Sequence, residues 1–254
     1  MVNRVRRLVA DGQPANGTFV YSPDPAVVEL IGAAGFDFVV VDTEHASLGR
    51  REVENLIRAA DGKGMSALVR VNRIEDVAAT LDAGAAGIVA PRFGADAASR
   101  ELAASLRYPP AGTRGACTCS RSVDYGIQDL ASVAAAADEE VWLLGLIEDR
   151  AAVEALDDVL AVPGLDAVMP GRSDLAASYG VPGRLDDPRV TAAVEQILDA
   201  AAARPGIAAV VYATDAADAQ RWRRRGAQVV VCSIDYKILA RAYAAIAREL
   251  KAAT

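Results

Sequence analysis

The sequence predicts a single (β/α)₈ barrel that spans residues 1–254. Eight short β-branched runs alternate with Ala-rich segments of helical period along the chain, and such alternation predicts a parallel sheet with right-handed crossovers. The runs are apolar almost throughout, as expected for strands that are covered on both faces. The chain has 254 residues, close to the roughly 250 residues that one such barrel requires.

The same succession recurs along the chain: a helix ends, a glycine follows, and a buried strand begins. The eight predicted strands are Gly17–Tyr21, Phe36–Asp42, Ser66–Val71, Gly87–Pro91, Val141–Glu148, Ala167–Gly171, Ile207–Tyr212 and Gln228–Ser233. The predicted helices among them are Pro25–Ala34, Arg51–Lys63, Ile74–Ala83, Ala95–Leu106, Ala151–Leu160, Pro188–Ala203 and Ala216–Arg225. Gly35, Gly84 and Gly226 each follow a helix directly, where glycine closes a helix in the left-handed conformation. This repetition favours eight similar units over two dissimilar domains.

Two further helices are expected at the ends of the chain. The N-terminal MVNRVRRLVADGQ has basic residues without a long apolar stretch behind them, so we expect a short amphipathic helix and no signal peptide. The segment Tyr236–Leu250 places its apolar residues on one helical face, namely Ile238, Leu239, Ala242, Ile246 and Leu250. It predicts a final amphipathic helix that packs on its own barrel or on a neighbouring subunit.

One long segment, from Arg107 to Glu139, interrupts the alternation of strands and helices. It begins R-Y-P-P-A-G-T-R-G-A-C-T-C-S-R-S-V-D-Y-G, and its paired prolines, glycines and small polar residues disfavour a regular helix at its start. Long irregular segments in compact domains are usually lids or binding loops. We therefore expect a long irregular loop with such a role here.

The composition argues against several partners and locations. The net charge is −7 with scattered acidic residues, whereas nucleic-acid binding needs a clustered basic surface. The one basic run, Arg223–Arg225, ends a helix, where cations complement the helix dipole. No apolar run approaches the roughly 18 residues of a membrane span. Cys117, Cys119 and Cys232 form no disulfide or metal-binding spacing, so a reducing cytoplasm is the expected location.

Charged residues follow five successive predicted strands, two to six. Active sites of (β/α)₈ barrels lie at the C-terminal ends of the strands, and the polar residues found there are Asp42, Glu44, His45, Arg70, Asn72, Arg92, Glu148, Asp149, Arg172, Ser173 and Asp174. A lone histidine is commonly structural, but Asp42 stands three residues before His45 and could orient it by a hydrogen bond. Arg70 needs an anionic partner, which is either a protein carboxylate or a substrate carboxylate.

Glu148 and Asp174 end two neighbouring strands, and two readings of this pair are open. Converging carboxylates repel each other unless a cation or a shared proton intervenes. Two protein carboxylates with open positions for water and substrate are typical of a Mg²⁺ or Mn²⁺ site. Alternatively, the two residues are helix N-caps, as Asp174 before Leu175 could be.

The three lysines, Lys63, Lys237 and Lys251, bear on the route of any carbon–carbon chemistry. None lies in a predicted strand or at its C-terminal end, where a Schiff-base aldolase needs a partly desolvated lysine. No phosphate-binding glycine loop follows a strand, so nucleotide cofactors are not expected. Carbon–carbon chemistry here would therefore require a metal to stabilise an enolate.

At these residues the chain resembles the metal-dependent (class II) pyruvate aldolases of the HpcH/HpaI aldolase/citrate lyase family. The resemblance covers Gly17 to Asp235 and rests on G-T-F-V, F-D-F-V-V-V-D-T-E-H, A-L-V-R-V, L-D-A-G-A-A-G-I-V-A-P, R-Y-P-P-A-G-T-R-G, L-I-E and the D-L-A-A-S-Y-G segment. It implies reversible aldol cleavage of a 4-hydroxy-2-oxo acid to pyruvate and an aldehyde, with Mg²⁺, Mn²⁺ or Co²⁺ as cofactor. It also implies a homo-oligomer, a hexamer built as a trimer of dimers with swapped C-terminal helices.

The resemblance assigns roles to single residues of this sequence. Glu148 and Asp174 would bind the metal, Arg70 would hold the keto oxygen, and His45, oriented by Asp42, would move the proton of the aldol hydroxyl. Asp82 would reach the site of a neighbouring subunit. The substrate would lie against Phe19 and the segment of Gly171, Arg172 and Ser173, whose backbone amides would bind its carboxylate.

The chain departs from the family pattern at three of these places. Leu146 stands where relatives often have glutamine, Arg172 where they have proline, and Phe19 where tryptophan is common. These departures put the usual substrates in doubt. Three alternatives therefore stay open, namely decarboxylation of an oxaloacetate-like 2-oxo diacid, a biosynthetic enzyme that joins a 2-oxo acid to another acceptor, and a non-catalytic barrel that binds a 2-oxo acid. Intact His45, Arg70, Glu148 and Asp174 disfavour the last.

Overall fold

The computed structural model describes residues 3–252 and shows a closed barrel of eight parallel strands in the order β1 to β8. The strands are β1 Ala15–Val20, β2 Phe38–Asp42, β3 Ser66–Arg70, β4 Gly87–Ala90, β5 Trp142–Ile147, β6 Ala167–Pro170, β7 Ala208–Ala213 and β8 Val229–Ile234. Each strand pairs in parallel with the next, and β8 closes on β1. The predicted (β/α)₈ barrel is confirmed, and all eight strands lie within two residues of their predicted bounds.

Helices alternate with these strands along the chain. They are α1 Arg4–Ala10, α2 Pro25–Ala33, α3 Arg50–Gly62, α4 Val77–Asp82, α5 Ala97–Ser105, α6 Leu130–Glu140, α7 Arg150–Glu154, α8 Leu156–Leu160, α9 Arg172–Ser178, α10 Pro188–Ala202, α11 Ala216–Arg224 and α12 Asp235–Ala252. Several begin at an aspartate whose carboxylate accepts a backbone N–H of the first turn, as Asp96 does for α5 and Asp215 for α11. The predicted helix Ala151–Leu160 is two short helices, α7 and α8, which meet at Ala155.

The apolar residues of the strands form two separate cores because successive side chains point to opposite faces. Phe38, Val40 and Leu68 belong to the interior of the barrel, with Leu144 and Leu146 from β5. The alternate residues of the same strands pack against the surrounding helices in a second, larger cluster. The fully apolar runs in the sequence thus reflect burial on both faces.

The segment Arg107–Glu139 corrects a prediction in two respects. Its second half is helical, since α6 covers Leu130–Glu140, and a 3-10 turn covers Arg121–Gly126. The Ala-rich run of α6 favours a helix once the prolines and glycines have passed. The segment also does not cover the C-terminal ends of the strands. It lines a cavity beside Asn3 and Ala86, at the end of the barrel where β4 and β5 begin, so the segment is not a lid over the strand ends of its own barrel, whereas a role as a binding loop stays a prediction.

The helix α12 leaves the barrel with its apolar residues exposed. Tyr243 is 70% exposed, Ile246 54% and Leu250 68%, although an amphipathic helix normally buries such side chains. Only its first residue, Asp235, is buried. The apolar face of α12 therefore has no partner within the described part of the chain. None of the helices between residues 3 and 252 is long and apolar enough to cross a membrane.

Candidate active site

A cavity of about 250 Å³ lies at the C-terminal ends of the strands and gathers most of the predicted site residues. Its lining includes Phe19, His45, Arg70, Glu148, Gly171, Arg172, Ser173 and Asp174. These residues come from the ends of β1, β2, β3, β5 and β6, which parallel strands bring to one edge of the barrel. Asp42 lies beneath the lining, in contact with Arg70.

Asp42 and Arg70 form a buried ion pair between the ends of β2 and β3. The Nε of Arg70 donates to Oδ1 of Asp42 at 3.1 Å, and its Nη2 donates to Oδ2. The side chain of Asp42 is fully buried and that of Arg70 is 9% exposed. Burial opposes ionisation of Asp42, but the guanidinium and two backbone amides outweigh it and hold the pKa below its usual range. The sequence left open whether the anionic partner of Arg70 is a protein carboxylate or a substrate carboxylate, and the structure shows a protein carboxylate, that of Asp42.

The same contacts correct the expected role of Asp42 toward His45. Oδ1 of Asp42 accepts the backbone N–H groups of Glu44 at 2.8 Å and His45 at 3.2 Å, so it shapes the turn after β2 rather than holding the imidazole. The ring of His45 has Glu44 as its nearest carboxylate, with Nε2 to Oε2 at 3.9 Å, and its side chain is 56% exposed. The imidazole is therefore placed at the mouth of the cavity, where it can exchange protons with solvent.

Glu44 belongs to the site, although the sequence alone predicted no role for it. Its carboxylate is 10% exposed and lies 3.4 Å from Nη1 of Arg70 and 3.4 Å from Nη1 of Arg92. It thereby links Arg70 at the end of β3 with Arg92 after β4. The D-T-E-H motif could have indicated this role, because Glu44 directly precedes His45 at the end of a strand and therefore lies in the same part of the site.

Tyr21 is a second residue that was not foreseen. It follows β1 directly and lines the cavity. Burial and the nearby Asp42 carboxylate raise the pKa of its phenol, so the hydroxyl stays protonated and available as a donor. Its backbone N–H donates to the buried carboxylate of Asp235, which ties the end of β1 to the start of α12.

Glu148 and Asp174 converge at the mouth, as the metal reading requires. Glu148 is 7% exposed. Burial, together with the charges of Asp174 and Glu44, raises its pKa to about 7, although the backbone N–H of Arg92 and the charge of Arg70 act to lower it. This N–H lies 2.7 Å from Oε2, on a residue with φ of 47°, a strained conformation for a residue with a side chain.

The helix-cap reading of this pair is not supported. The residue that caps α7 is Asp149, whose Oδ1 accepts the N–H of Ala152, and the residue before α9 is Gly171. Asp174 lies within the first turn of α9. The pair offers the carboxylate oxygens that Mg²⁺ and Mn²⁺ prefer. Within residues 3–252, no group of three or more His, Cys, Asp or Glu side chains could hold a metal ion.

Gly171 lets the two strand ends approach each other. A Cβ placed on it would lie 2.5 Å from Cγ of Glu148, closer than any real contact. Any larger residue at position 171 would therefore displace the Glu148 side chain. This close approach brings the backbone of the β6–α9 turn against the Glu148 side chain.

Arg172 lines the cavity, but its charge is used within the protein. Its Nη1 donates to Oδ2 of Asp218 at 2.5 Å and its Nη2 to Oδ1 of Asp186 at 3.2 Å. Its guanidinium also lies 5.5 Å from the ring centroid of Trp222. The residue is 3% exposed, so the charge that it adds beside the cavity is compensated.

Asp82 lies away from this cavity in the single chain. It ends α4, at the side of the barrel where the strands begin, and its carboxylate accepts Nη2 of Arg114 at 3.2 Å. Its predicted part in a neighbouring subunit's site stays a prediction.

Lys237 corrects the statement that no lysine stands near a strand's C-terminal end. It follows the end of β8 by three residues, in the first turn of α12, and it lines the cavity. The chain continues directly from β8 into α12, and this junction lies within one residue of the predicted strand end at Ser233 and the predicted helix start at Tyr236. The side chain is exposed, whereas a Schiff-base lysine is partly desolvated.

Comparisons with known proteins agree with this geometry. Residues 16–242 match the family model described as HpcH/HpaI aldolase/citrate lyase. A hydroxypyruvate/pyruvate aldolase of Roseovarius nubinhibens is 32% identical over 240 residues, which cover 94% of this chain and 93% of that protein. The crystal structure of an HpcH/HpaI aldolase from Desulfitobacterium hafniense DCB-2 superposes with a TM-score of 0.91 at 31% identity, covering 97% of this chain and 96% of that one. That of citrate synthase SbnG superposes with a TM-score of 0.86 at 30% identity, again covering 97% and 96%.

Proposed function

The chain belongs to the HpcH/HpaI aldolase/citrate lyase family, and on this basis we propose that it is a metal-dependent aldolase. It is a carbon–carbon lyase that cleaves 4-hydroxy-2-oxo acids reversibly into pyruvate, or a related 2-oxo acid, and an aldehyde. The observation that carries the proposal is the convergence of His45, Arg70, Glu148 and Asp174 on one cavity at the strand ends.

The cofactor in this proposal is Mg²⁺, Mn²⁺ or Co²⁺, held by Glu148 and Asp174. The fit rests on a buried carboxylate whose pKa is raised to about 7 by burial and by like charges, since a cation would relieve both effects. When bound, a divalent cation supplies positive charge opposite the oxygens of the 2-oxo acid and so favours the enolate.

The side chains around this pair divide the remaining work. Arg70 keeps its guanidinium charged through Asp42 and presents it to the keto oxygen of the substrate. His45, at the exposed mouth, accepts the proton of the aldol hydroxyl during cleavage and returns it during condensation. The backbone of Gly171 and Ser173 lies beside Glu148, where it can bind the substrate carboxylate. The ring of Phe19 packs against the guanidinium of Arg70, whose Cζ lies 5.0 Å from the ring centroid, and shields this cation from water.

The test is a screen of pyruvate against a panel of aldehydes, with each metal added to chelator-treated enzyme. We expect condensation that EDTA abolishes and that Mg²⁺, Mn²⁺ or Co²⁺ restores. Glu148→Gln and Asp174→Asn should each lower metal affinity in a calorimetric titration. Unchanged metal binding in both variants would refute the cation site.

Borohydride trapping with pyruvate tests the competing imine route at the same cavity. We expect no covalent adduct, because Lys237 is exposed and no other lysine of residues 3–252 lines the cavity. An adduct on Lys237 in the wild-type enzyme, together with turnover in EDTA, would contradict the metal-dependent proposal.

A biosynthetic role on the same scaffold is the second candidate. Its support is the similarity to the solved citrate synthase SbnG, which matches nearly the full chain. An enzyme of that kind would join an enolate to a 2-oxo acid acceptor instead of an aldehyde. Including oxaloacetate in the screen separates the alternatives. Consumption of oxaloacetate when no other substrate is present would indicate decarboxylation, whereas condensation of oxaloacetate with a second substrate that supplies the enolate would indicate synthesis.

The oligomer in this proposal is a hexamer, a trimer of dimers that exchange their α12 helices in a cytoplasmic enzyme. The exposed apolar face of α12 supports it, because Tyr243, Ile246 and Leu250 would otherwise face water. The three cysteines are free thiols, as a reducing compartment would leave them. Light scattering of the wild-type chain should give the hexamer mass, and Ile246→Asp should lower it. A wild-type monomer would contradict the assembly.

A further inference from the structure

The cations that line the cavity differ in how far they are compensated. Arg70 is paired with Asp42 and Glu44, and Arg172 with Asp218 and Asp186. The third cation, Lys237, takes part in none of the ion pairs found among residues 3–252. The cavity therefore has one ammonium group whose charge is available to a ligand.

Lys237 is held at the mouth by contacts on both sides of it in the chain. The buried carboxylate of Asp235 accepts the backbone N–H groups of Tyr21 at 3.1 Å and Ser22 at 2.9 Å, which fixes the start of α12 against the end of β1. One turn beyond Lys237, Nη1 of Arg241 donates to the carbonyl oxygen of Thr214 at 3.1 Å, after β7. The backbone that carries the ammonium group is thus anchored to two strand ends.

The position of Lys237 around the barrel places it near the acceptor and not near the 2-oxo acid. The candidate metal ligands follow β5 and β6, whereas the proton-transfer residue His45 follows β2. The aldehyde carbonyl must lie between these two groups, because its carbon bonds to the enolate and its oxygen takes the proton from His45. The rest of the aldehyde then extends over the side opened by β7, β8 and β1, where the lining is Tyr212, Ile234 and Lys237.

We infer that Lys237 binds an anionic group at the far end of the acceptor and so selects aldehydes that carry a terminal carboxylate or phosphate. The inference rests on the proposed aldolase function and adds the substrate class of that site. The apolar side chains of Tyr212 and Ile234 contact the carbon chain of such an acceptor, and the ammonium group pairs with its charged end. Lys237 is a specificity-determining residue and takes no part in the carbon–carbon step.

The test measures kcat/KM for condensation of pyruvate with matched pairs of acceptors in the metal-loaded enzyme. Succinic semialdehyde is compared with butanal, and glyceraldehyde 3-phosphate with glyceraldehyde, so that the two pairs separate carboxylate from phosphate recognition. The ratio of charged to neutral acceptor is the readout, because it cancels any general loss of activity. Lys237→Gln should lower this ratio about tenfold in at least one pair, the effect of one charge-assisted hydrogen bond.

Three further variants make the result specific. Lys237→Arg should retain most of the ratio, whereas Lys237→Glu should lower it below the value for Lys237→Gln. Lys63→Gln removes the same charge from the other end of the barrel, after α3, and should leave the ratio unchanged.

The outcomes separate this inference from the function on which it rests. Turnover with an unchanged ratio in Lys237→Gln, or a ratio that falls equally in Lys63→Gln, would overturn the role of Lys237 alone. Loss of all turnover in both Lys237→Arg and Lys237→Gln would assign the lysine to the chemical step and overturn its role in selectivity. No condensation of pyruvate with any acceptor would overturn the proposed function and this inference with it.

Discussion

Replacing Asp42 by asparagine tests whether the buried pair with Arg70 holds the site together. The substitution keeps the shape of the side chain, so it can still accept the backbone N–H groups of Glu44 and His45, but it removes the charge. Asp42 is fully buried and Arg70 is 9% exposed, so solvent screens their interaction little. Removing one partner of such a pair costs about 3–5 kcal/mol. We expect about 3 kcal/mol, since Glu44 remains 3.4 Å from Arg70 as a second partner.

The assay is urea unfolding of chelator-treated protein at one fixed concentration, followed by circular dichroism. Two double-mutant cycles assign the energy to its partner. Asp42→Asn with Arg70→Met should show a coupling of about 2 kcal/mol or more, because the two side chains share a buried contact. Asp42→Asn with His45→Ala should couple by less than about 0.5 kcal/mol, because Asp42 contacts only the backbone of His45.

Two results would refute this reasoning. A cost below about 1 kcal/mol for Asp42→Asn would place the pair among weak surface ion pairs. A coupling of Asp42 that is larger with His45 than with Arg70 would restore the carboxylate–imidazole pair expected from the sequence.

The remaining predictions concern proton transfer, the cation site and acid stability. His45→Ala should lower turnover by about 10²- to 10⁴-fold and leave metal and pyruvate binding intact by calorimetry. Gly171→Ala should weaken metal binding about tenfold or more in the same titration, because the added Cβ displaces Glu148. The pKa of Asp218 is raised by burial but lowered further by the Thr214 N–H and by Arg172, so its net shift is downward. Asp218→Asn should therefore cost about 2 kcal/mol at pH 7. This difference should shrink as the pH falls below about 4, because the carboxylate of the unfolded chain gains a proton there while that of the folded protein stays ionised.

Each of these has an outcome that would contradict it. Unchanged turnover would remove His45 from the proton-transfer step, and unchanged metal affinity in Gly171→Ala would show that the turn after β6 tolerates the added methyl group. A stability difference for Asp218→Asn that stays constant down to pH 3 would show that the charge of Asp218 does not stabilise the fold. Gly180→Ala is the control for Gly171→Ala, because the surroundings of Gly180 are open and the added methyl group does not crowd Glu148. The φ of 74° at Gly180 makes this substitution costly to local stability.

The strand ends were predictable because short-range patterns determine where a strand stops. An apolar run followed by Asp42 or Glu148 indicates that the strand is buried and also where along the strand the first polar residue lies. In a parallel barrel all such ends meet at one edge, so the membership of the site followed from chain order. Gly171 could be placed at this edge from its position after β6, but its contact with Glu148 could not.

Partners were harder to predict than positions. The sequence places Asp42 three residues before His45, and this proximity suggested a pair. In the fold, Asp42 accepts hydrogen bonds from Arg70, which is 28 residues away in the chain but directly opposite in the β2–β3 register. Arg172 likewise pairs with Asp218 across 46 residues. Such contacts depend on which rotamers fit between packed strands and helices, and no local pattern encodes that.

The sequence by itself determined the closed barrel, the edge at which the chemistry collects and the family, since periodicity and strand-end residues are local properties. The tertiary structure decided which charges are free and which are compensated. It neutralised Arg70 and Arg172 with carboxylates from distant segments and placed Lys237, a residue with no assigned role in the sequence, at the mouth of the cavity. The physical reason is that electrostatic pairing acts over a few ångströms in space, and only the folded chain specifies which residues come that close.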